Sequence, residues 1–326
     1  MAKPFLWIID DEWADYEREK AVFSRAFGAG GYELVFSGPK TYQADFPEYG
    51  PRADAVLSQI DIEIGAREME QLTRCKILSN YGTGYNNIDV REAKARGIAV
   101  GYIPGYCAED IADYVLSAIY RRFKPTAGFE EEIRAGKWGA AVMTEPLHRL
   151  SSKKLFLVGF GSIARAVARK ALGAGLMVSA WSPHLTAEKA AAVGVCYQEP
   201  AEGLADADIV SLHLRYDKET HHFIGAAELA KMKEDAILIN TARGGVLDTD
   251  ALVAAVKNGK LGGAVLDVLE QEPPAADAPV LHCQGIDVTP HISYYSEEAL
   301  GDLQRRAAEN AVHILKGEPG ADLVEI

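Results

Sequence analysis

Residues 155–181 read LFLVGFGSIARAVARKALGAGLMVSAW, and this stretch decides the fold. Leu155–Val158 is apolar and reads as a strand. The chain then turns through Gly159-Phe160-Gly161-Ser162-Ile163-Ala164, continues as a helix rich in Ala, Arg and Lys, and returns as the apolar strand Met177–Trp181. A strand–turn–helix–strand unit with G-x-G-x-x-A at its first turn is the pattern of a dinucleotide site. Gly159 permits the sharp turn, Gly161 lets a pyrophosphate approach bare backbone, and Ala164 lets the helix pack closely on the strand. The helix N-terminus then offers free N–H groups and the positive end of its dipole to the phosphates.

Composition sets the limits around this unit. The chain has 326 residues, 48% hydrophobic and 25% charged, which suits about two globular domains. A net charge of -13 and the lack of a dense Lys/Arg run argue against a nucleic-acid partner. The four cysteines, Cys75, Cys107, Cys196 and Cys283, are scattered without a C-x-x-C pair, so reduced thiols are expected rather than disulfides or zinc. His148, His184, His213, His221, His222, His282 and His313 show no metal-ligand spacing, and surface or capping roles are expected for them. The apolar run Phe5–Ile9 is too short for a signal sequence, and no run reaches membrane length. A cytoplasmic protein with no metal and no membrane partner is expected.

Taken in order, strands are expected at Phe5–Asp10, Tyr32–Phe36, Ala53–Ile60, Cys75–Asn80 and Ile98–Ile103, with helices at Tyr16–Phe27 and Ile88–Arg96. A long helix follows at Ala108–Phe123, then a second helical piece at Glu130–Trp138 and an irregular stretch at Ala140–Ser152. Further strands are read at Leu155–Val158, Met177–Trp181, Val195–Tyr197, Ile209–Leu212, Ile237–Asn240, Gly263–Leu266 and Ile286–Val288. An amphipathic helix at Ser296–Leu315 closes the series, with Leu300, Leu303, Ala307, Ala311 and Ile314 at helical spacing. Strands alternating with helices give the class: α/β, with two doubly wound parallel sheets. Asp10-Asp11-Glu12 after the first strand tempts a phosphorylation-receiver reading. The position that would accept the phosphoryl group holds Gln59, which forms no acyl phosphate, so the acids read as a solvated strand end or helix cap.

Arg243, Glu272 and His291 each follow an apolar strand, in Asn240-Thr241-Ala242-Arg243-Gly244-Gly245, Leu266–Pro273 and Thr289-Pro290-His291. In an open α/β sheet ligands bind beyond the carboxyl ends of the strands, so all three are expected in the crevice of the dinucleotide. At these residues the chain closely resembles the D-isomer-specific 2-hydroxyacid dehydrogenase family. The resemblance extends to Asn80-Tyr81-Gly82-Thr83-Gly84, Glu109-Asp110-Ile111-Ala112-Asp113 and Gly159–Ala164, and covers nearly the whole chain. TPHISYYSEEA, Thr289–Ala299, looks most like the branch that holds the C-terminal-binding proteins.

The resemblance implies a flavodoxin-like substrate domain at 1–105, completed by 293–326, and a Rossmann NAD-binding domain at 106–292, with a hinged cleft between them. It implies Arg243, Glu272 and His291 as the catalytic set. On the cofactor side it implies Thr83, Gly159, Phe160, Gly161, Ser162, Ile163, Ser182, Leu214, Arg215, Thr241, Ala242 and Asp267, the last as partner of the nicotinamide amide. On the substrate side it implies Tyr81, Gly82, Thr83, Gly84 and Arg243. Tyr294, next to His291, is expected to line the side-chain pocket. The segment 123–152 is implied as the arm of a homodimer.

The residue types suit the chemistry of a 2-oxo acid. Arg243 offers a planar fork to carboxylate and carbonyl oxygens, His291 gives or takes a proton, and Glu272 orients and charges the ring. The activity implied is reduction of a small 2-oxo acid to a D-2-hydroxy acid, and the reverse. NAD(H) is the implied cofactor, but Ser182 stands where an acid would hold both ribose hydroxyls, and His184 or Arg215 could meet a 2′-phosphate, so NADP(H) stays open. The alternative is an NAD(H)-sensing, co-repressor-like binding protein with little catalysis. A formate-type enzyme would pair the histidine with glutamine, and Glu272 argues against it.

Overall fold

Phe5-Leu6-Trp7-Ile8-Ile9 is a continuous apolar run, and every residue of it is buried. A strand of this kind needs cover on both faces, which parallel sheets obtain from crossover helices. The computed structural model describes residues 3–13, 15–143 and 146–325. The chain divides into two compact units, Met1–Tyr106 with Ser296–Ile326, and Cys107–Tyr295. The return to the first unit comes at Ser296, three residues later than 293, because Ser293 N–H donates to Asp267 and Tyr295 N–H to the carbonyl of Ile292.

The first unit holds β1 (Phe5–Ile9), β2 (Glu33–Ser37), β3 (Ala55–Gln59), β4 (Ile77–Tyr81) and β5 (Ala99–Gly101). They pair in parallel in the order β2-β1-β3-β4-β5, the flavodoxin arrangement. Alternate side chains go to opposite faces. Phe5, Trp7, Ile9, Val56 and Leu78 pack on one side with Phe46, Met69 and Leu72. Leu6, Ile8, Leu57 and Ile77 pack on the other with Leu303, Ala307, Ala308 and Ala311 of the helix Glu297–Lys316. Ser296 caps that helix by accepting from Ala299 N–H, and Gly317 ends it in the left-handed conformation.

The second unit holds β6 (Lys154–Val158), β7 (Met177–Trp181), β8 (Cys196–Tyr197), β9 (Ile209–Leu212), β10 (Ile237–Asn240), β11 (Gly263–Leu266) and β12 (Ile286–Val288). Their order, β12-β11-β10-β9-β6-β7-β8, reverses direction beside β6, which is the Rossmann switch point. The helices Ala108–Phe123 and Ser162–Gly173 pack on this unit. The second helical piece runs Thr126–Arg134 rather than Glu130–Trp138. Pro125 stands immediately before its first turn, and Gly136, at φ 86°, prevents its extension. The structure also adds helices at Tyr42–Tyr49, Ala66–Met69, Ala187–Ala191, Pro200–Asp206, Ala226–Leu229 and Thr249–Lys257. None of these exceeds 9 residues, too short to display a clear 3.6-residue period.

Asp10 is not a solvated strand end. It is buried, accepts from Glu12 N–H and Tyr16 Oη, and lies near Glu19, which is also fully buried. Tyr81 Oη donates to Glu19 Oε1 at 3.0 Å, while Glu19 Oε2 has no partner. Burial pushes both carboxyls above their ordinary range. An acid with a raised folded pKa keeps its proton in the fold and loses it on unfolding. Stability therefore falls as pH rises from about 4, the unfolded value, towards the folded value. Glu19→Gln keeps an acceptor for Tyr81 and removes this dependence. Melting curves should show the variant gaining on the parent by about 1 kcal/mol or more between pH 4 and 8; parallel curves would refute a buried, protonated Glu19.

Candidate active site

β10, β11 and β12 are neighbours in register, with Asn240 beside Leu266 and Leu266 beside Val288. Their carboxyl ends thus open on one edge of the sheet. Arg243, Glu272 and His291 emerge from those ends. His291 Nδ1 donates to Glu272 Oε2 at 2.7 Å, which leaves Nε2 for a ligand. Glu272 Oε1 accepts from Leu269 N–H at 2.7 Å, so both carboxylate oxygens are fixed. Burial opposes the charge on Glu272, but the bond and charge of His291, the Leu269 N–H and the charge of Arg243 outweigh it and hold this carboxyl below its ordinary range. Arg243 Nη1 donates to the carbonyl of Ala242 at 2.7 Å. Gly244 is required here: a Cβ would lie 2.0 Å from the carbonyl oxygen of Leu269, so the Arg243 turn and the Glu272 loop pack backbone to backbone.

His291 has φ 53°, a left-handed conformation uncommon for a side-chain-bearing residue. Asp267 explains how it is held. Its carboxylate accepts from Thr289 Oγ1 at 2.6 Å and from the N–H groups of Ile292 and Ser293 at 2.9 Å each, and its carbonyl accepts from His291 N–H at 2.8 Å. Tyr114 Oη lies 2.6 Å from Thr289 Oγ1 and extends the network. Asp267 is 1% exposed and its bonds are directed to its own loop, so it holds the His291 loop.

The dinucleotide strip lies at the ends of β6, β7 and β9. Gly159 has φ 99°, and a Cβ there would lie 2.5 Å from the carbonyl oxygen of His213, so glycine is obligatory. Gly161 is different: its φ is ordinary and a Cβ would meet nothing within 4 Å. No protein group demands glycine at 161, which fits a ligand close to the backbone. Ser162 and Ile163 open the helix Ser162–Gly173, whose N–H groups point the same way. Thr241 Oγ1 is buried without a partner, an orphan that a bound ribose or amide would satisfy. Ala242 N–H is tied to Asn240 Oδ1. Ser182 is partly exposed and Arg215 projects outward, paired at 3.6 Å with Asp217. The side chains of Phe160 and Leu214 are buried, Leu214 within the core of its unit, so neither offers more than backbone. These residues fit a dinucleotide. Among the described residues no His, Cys, Asp and Glu group could hold a metal ion, and no helix is long and apolar enough to cross a membrane.

The loop after β4 is less open than expected. Tyr81 is 2% exposed, its hydroxyl on Glu19 and its ring edge-on to Trp13 at 4.7 Å, so its side chain is core rather than substrate wall. Gly82 is buried, with its N–H on Asn80 O, and Thr83 Oγ1 donates to Ile103 O. The N–H groups of Thr83 and Gly84 make no hydrogen bond among the described residues. Asn80 and Asn87, exchanging side-chain bonds at 3.1 and 3.2 Å, pin this loop, with Asn80 Nδ2 also on Gly84 O. Tyr294 lies edge-on to His291, ring centres 6.5 Å apart.

Sequence reasoning missed two histidines. His213 is only partly exposed: burial pushes its pKa down to about 4, and Nε2 lies 2.9 Å from Ser211 Oγ. His222 donates from Nε2 to Glu270 Oε2 at 2.8 Å. The His222 contact spans 48 residues and depends on how loops fold back, whereas His213 meets a residue two positions away.

The fold and the strip define a dinucleotide-binding α/β protein with an Arg–Glu–His site. Residues 116–293 match the family described as D-isomer specific 2-hydroxyacid dehydrogenase, NAD binding domain, and the chain belongs to that family. It is 36% identical over 275 residues to a glyoxylate reductase of Korarchaeum cryptofilum, covering 83% of this chain and 82% of that protein. Its fold is similar to a glyoxylate reductase from Paecilomyes thermophila, with a TM-score of 0.84, 28% identity and 99% of each chain covered. It is also similar to a D-lactate dehydrogenase from Aquifex aeolicus solved with NAD and lactic acid, with a TM-score of 0.82, 25% identity and 96% of each chain covered.

Two substitutions test the dinucleotide strip without relying on turnover. Gly161→Val should leave the melting temperature unchanged yet abolish quenching of protein fluorescence by NADH and NADPH. Thr241→Val should keep or raise stability, because an orphan polar atom is removed, while weakening reduced-cofactor binding about 2- to 10-fold.

Proposed function

We propose that this protein reduces a small 2-oxo acid to the D-2-hydroxy acid with NAD(P)H, and runs the reverse oxidation. The observation that carries this reading is the 2.7 Å bond from His291 Nδ1 to Glu272, which leaves Nε2 for a substrate oxygen. The bound nicotinamide supplies the hydride in reduction. Arg243 fixes the substrate carboxylate and polarises the carbonyl by a planar, two-pronged contact. His291, protonated on both nitrogens, delivers the Nε2 proton to the oxygen that becomes the hydroxyl, and Glu272 balances the charge while it does so. The names of the relatives favour glyoxylate and its close analogues as substrates. Placement nearest the C-terminal-binding-protein branch has only Thr289–Ala299 behind it.

The first unit is assigned to the substrate, with the free N–H groups of Thr83 and Gly84 suited to an anion. Tyr294 is assigned to the substrate side chain. The absence of an acid at Ser182 fits either NAD(H) or NADP(H). A homodimer is supported by the apolar surface of the segment after Phe123, where Trp138 is 79% exposed and Ile133 46%. Size-exclusion chromatography with light scattering should return a dimer that Trp138→Lys weakens.

The decisive assay follows loss of reduced-nicotinamide absorbance with glyoxylate, hydroxypyruvate, pyruvate and phenylpyruvate, each with NADH and NADPH. At least one pair should turn over and yield the D product. His291→Ala should cut kcat about 10²- to 10⁴-fold. Tight cofactor binding with no turnover on any 2-oxo acid would replace this reading with the nucleotide-sensing one.

A further inference from the structure

Among the described residues, two that are not glycine have positive φ, His291 at 53° and His222 at 49°. Backbone strain of this kind persists only where surrounding structure enforces it, and it gathers at working sites. For His291 the enforcing group is Asp267. For His222 the backbone is clamped by its own N–H on Gly245 O at 2.8 Å, followed by Ile224 N–H on Val246 O. The 222–224 segment is thus laid along the residues that follow Arg243. The strained conformation sends the ring the other way, onto Glu270, two residues before Glu272. Glu270 uses its second oxygen to hold Thr249 N–H at 3.0 Å.

We infer that His222 is a positioning residue: through Glu270 it fixes the loop that aims Glu272 at His291, and through Gly245 it fixes the turn that carries Arg243. The inference rests on the catalytic reading proposed above. The Arg243 turn and the Glu272 loop already touch where Gly244 lies against Leu269. That contact is backbone against backbone. His222 adds a side-chain bond from the segment beside the Arg243 turn to the Glu272 loop, next to the one that Glu270 accepts from Thr249 N–H. Glu270 and the stacked ring of His221, 3.9 Å away, are the titratable groups that face His222. His291 and Arg243 are those that face Glu272.

Two variants separate positioning from general support. Asn tolerates positive φ but is too short to reach Glu270, so His222→Asn breaks the bond and keeps the backbone. His222→Gln places a donor near the old Nε2. With glyoxylate as substrate, H222N should lower kcat about tenfold, the lower end of what orienting partners contribute. KM should stay within about twofold, and the alkaline limb of the kcat/KM profile should move to lower pH. H222Q should restore both. Wild-type kcat and an unmoved limb in H222N, or equal impairment of H222N and H222Q, would overturn the inference. A second readout needs no turnover. The low-field proton resonance of the His291–Glu272 bond should be sharp in the parent and H222Q and broadened or lost in H222N; an unaltered resonance in H222N would also overturn it. Should the parent reduce no 2-oxo acid, the functional reading fails while this resonance still decides the clamp.

Discussion

A carboxylate sealed from water is costly unless its lone pairs are filled, and Asp267 fills them almost entirely from one short stretch of chain. That requirement dictates the path of residues 289–293. The chain leaves β12, must curl back within reach of Asp267, and can do so only with His291 in a left-handed conformation. The imidazole is aimed as a by-product of satisfying a buried charge. Glu272 then meets it from the neighbouring strand end, and Arg243 comes from the next one along. The order β12-β11-β10 turns three distant stretches of sequence into one edge.

Much of this was legible beforehand. Five second-unit strands, Met177–Trp181, Ile209–Leu212, Ile237–Asn240, Gly263–Leu266 and Ile286–Val288, lie where their apolar runs begin and end. Strands buried on both faces leave so dense a hydrophobic signal that little else competes. That Arg243, Glu272 and His291 follow neighbouring strand ends was legible for a related reason: in a parallel sheet the carboxyl edge is known once the strand ends are known. What escaped was set by tertiary contact. Asp10 read as a solvated strand end because nothing local shows that the Tyr16 hydroxyl and burial close it off from water. Tyr81 and Gly82, implied on the substrate side, are buried, Tyr81 with its hydroxyl on Glu19. His222 and Glu270 are 48 residues apart and meet through a backbone conformation that no propensity favours.

The glycines divide into two kinds, and the division is informative. At Gly159 and Gly244 the protein itself forbids a side chain, since carbonyl groups of His213 and Leu269 occupy the space. At Gly161 nothing of the protein is in the way. The φ of Gly161 is ordinary as well, so the fold supplies no reason for glycine there, and a ligand lying against the backbone does.

The first sheet is stitched from both ends of the chain. One of its faces, with Leu6, Ile8, Leu57 and Ile77, is roofed by the helix Glu297–Lys316. On the ribosome that roof emerges long after the strands it covers. The second unit, whose segments are contiguous, is free to condense first, while the earlier-made strands wait with an oily face bare. Biogenesis is therefore inverted relative to chain direction: the unit begun first is finished last, and nascent chains stalled before residue 297 would be the aggregation-prone species.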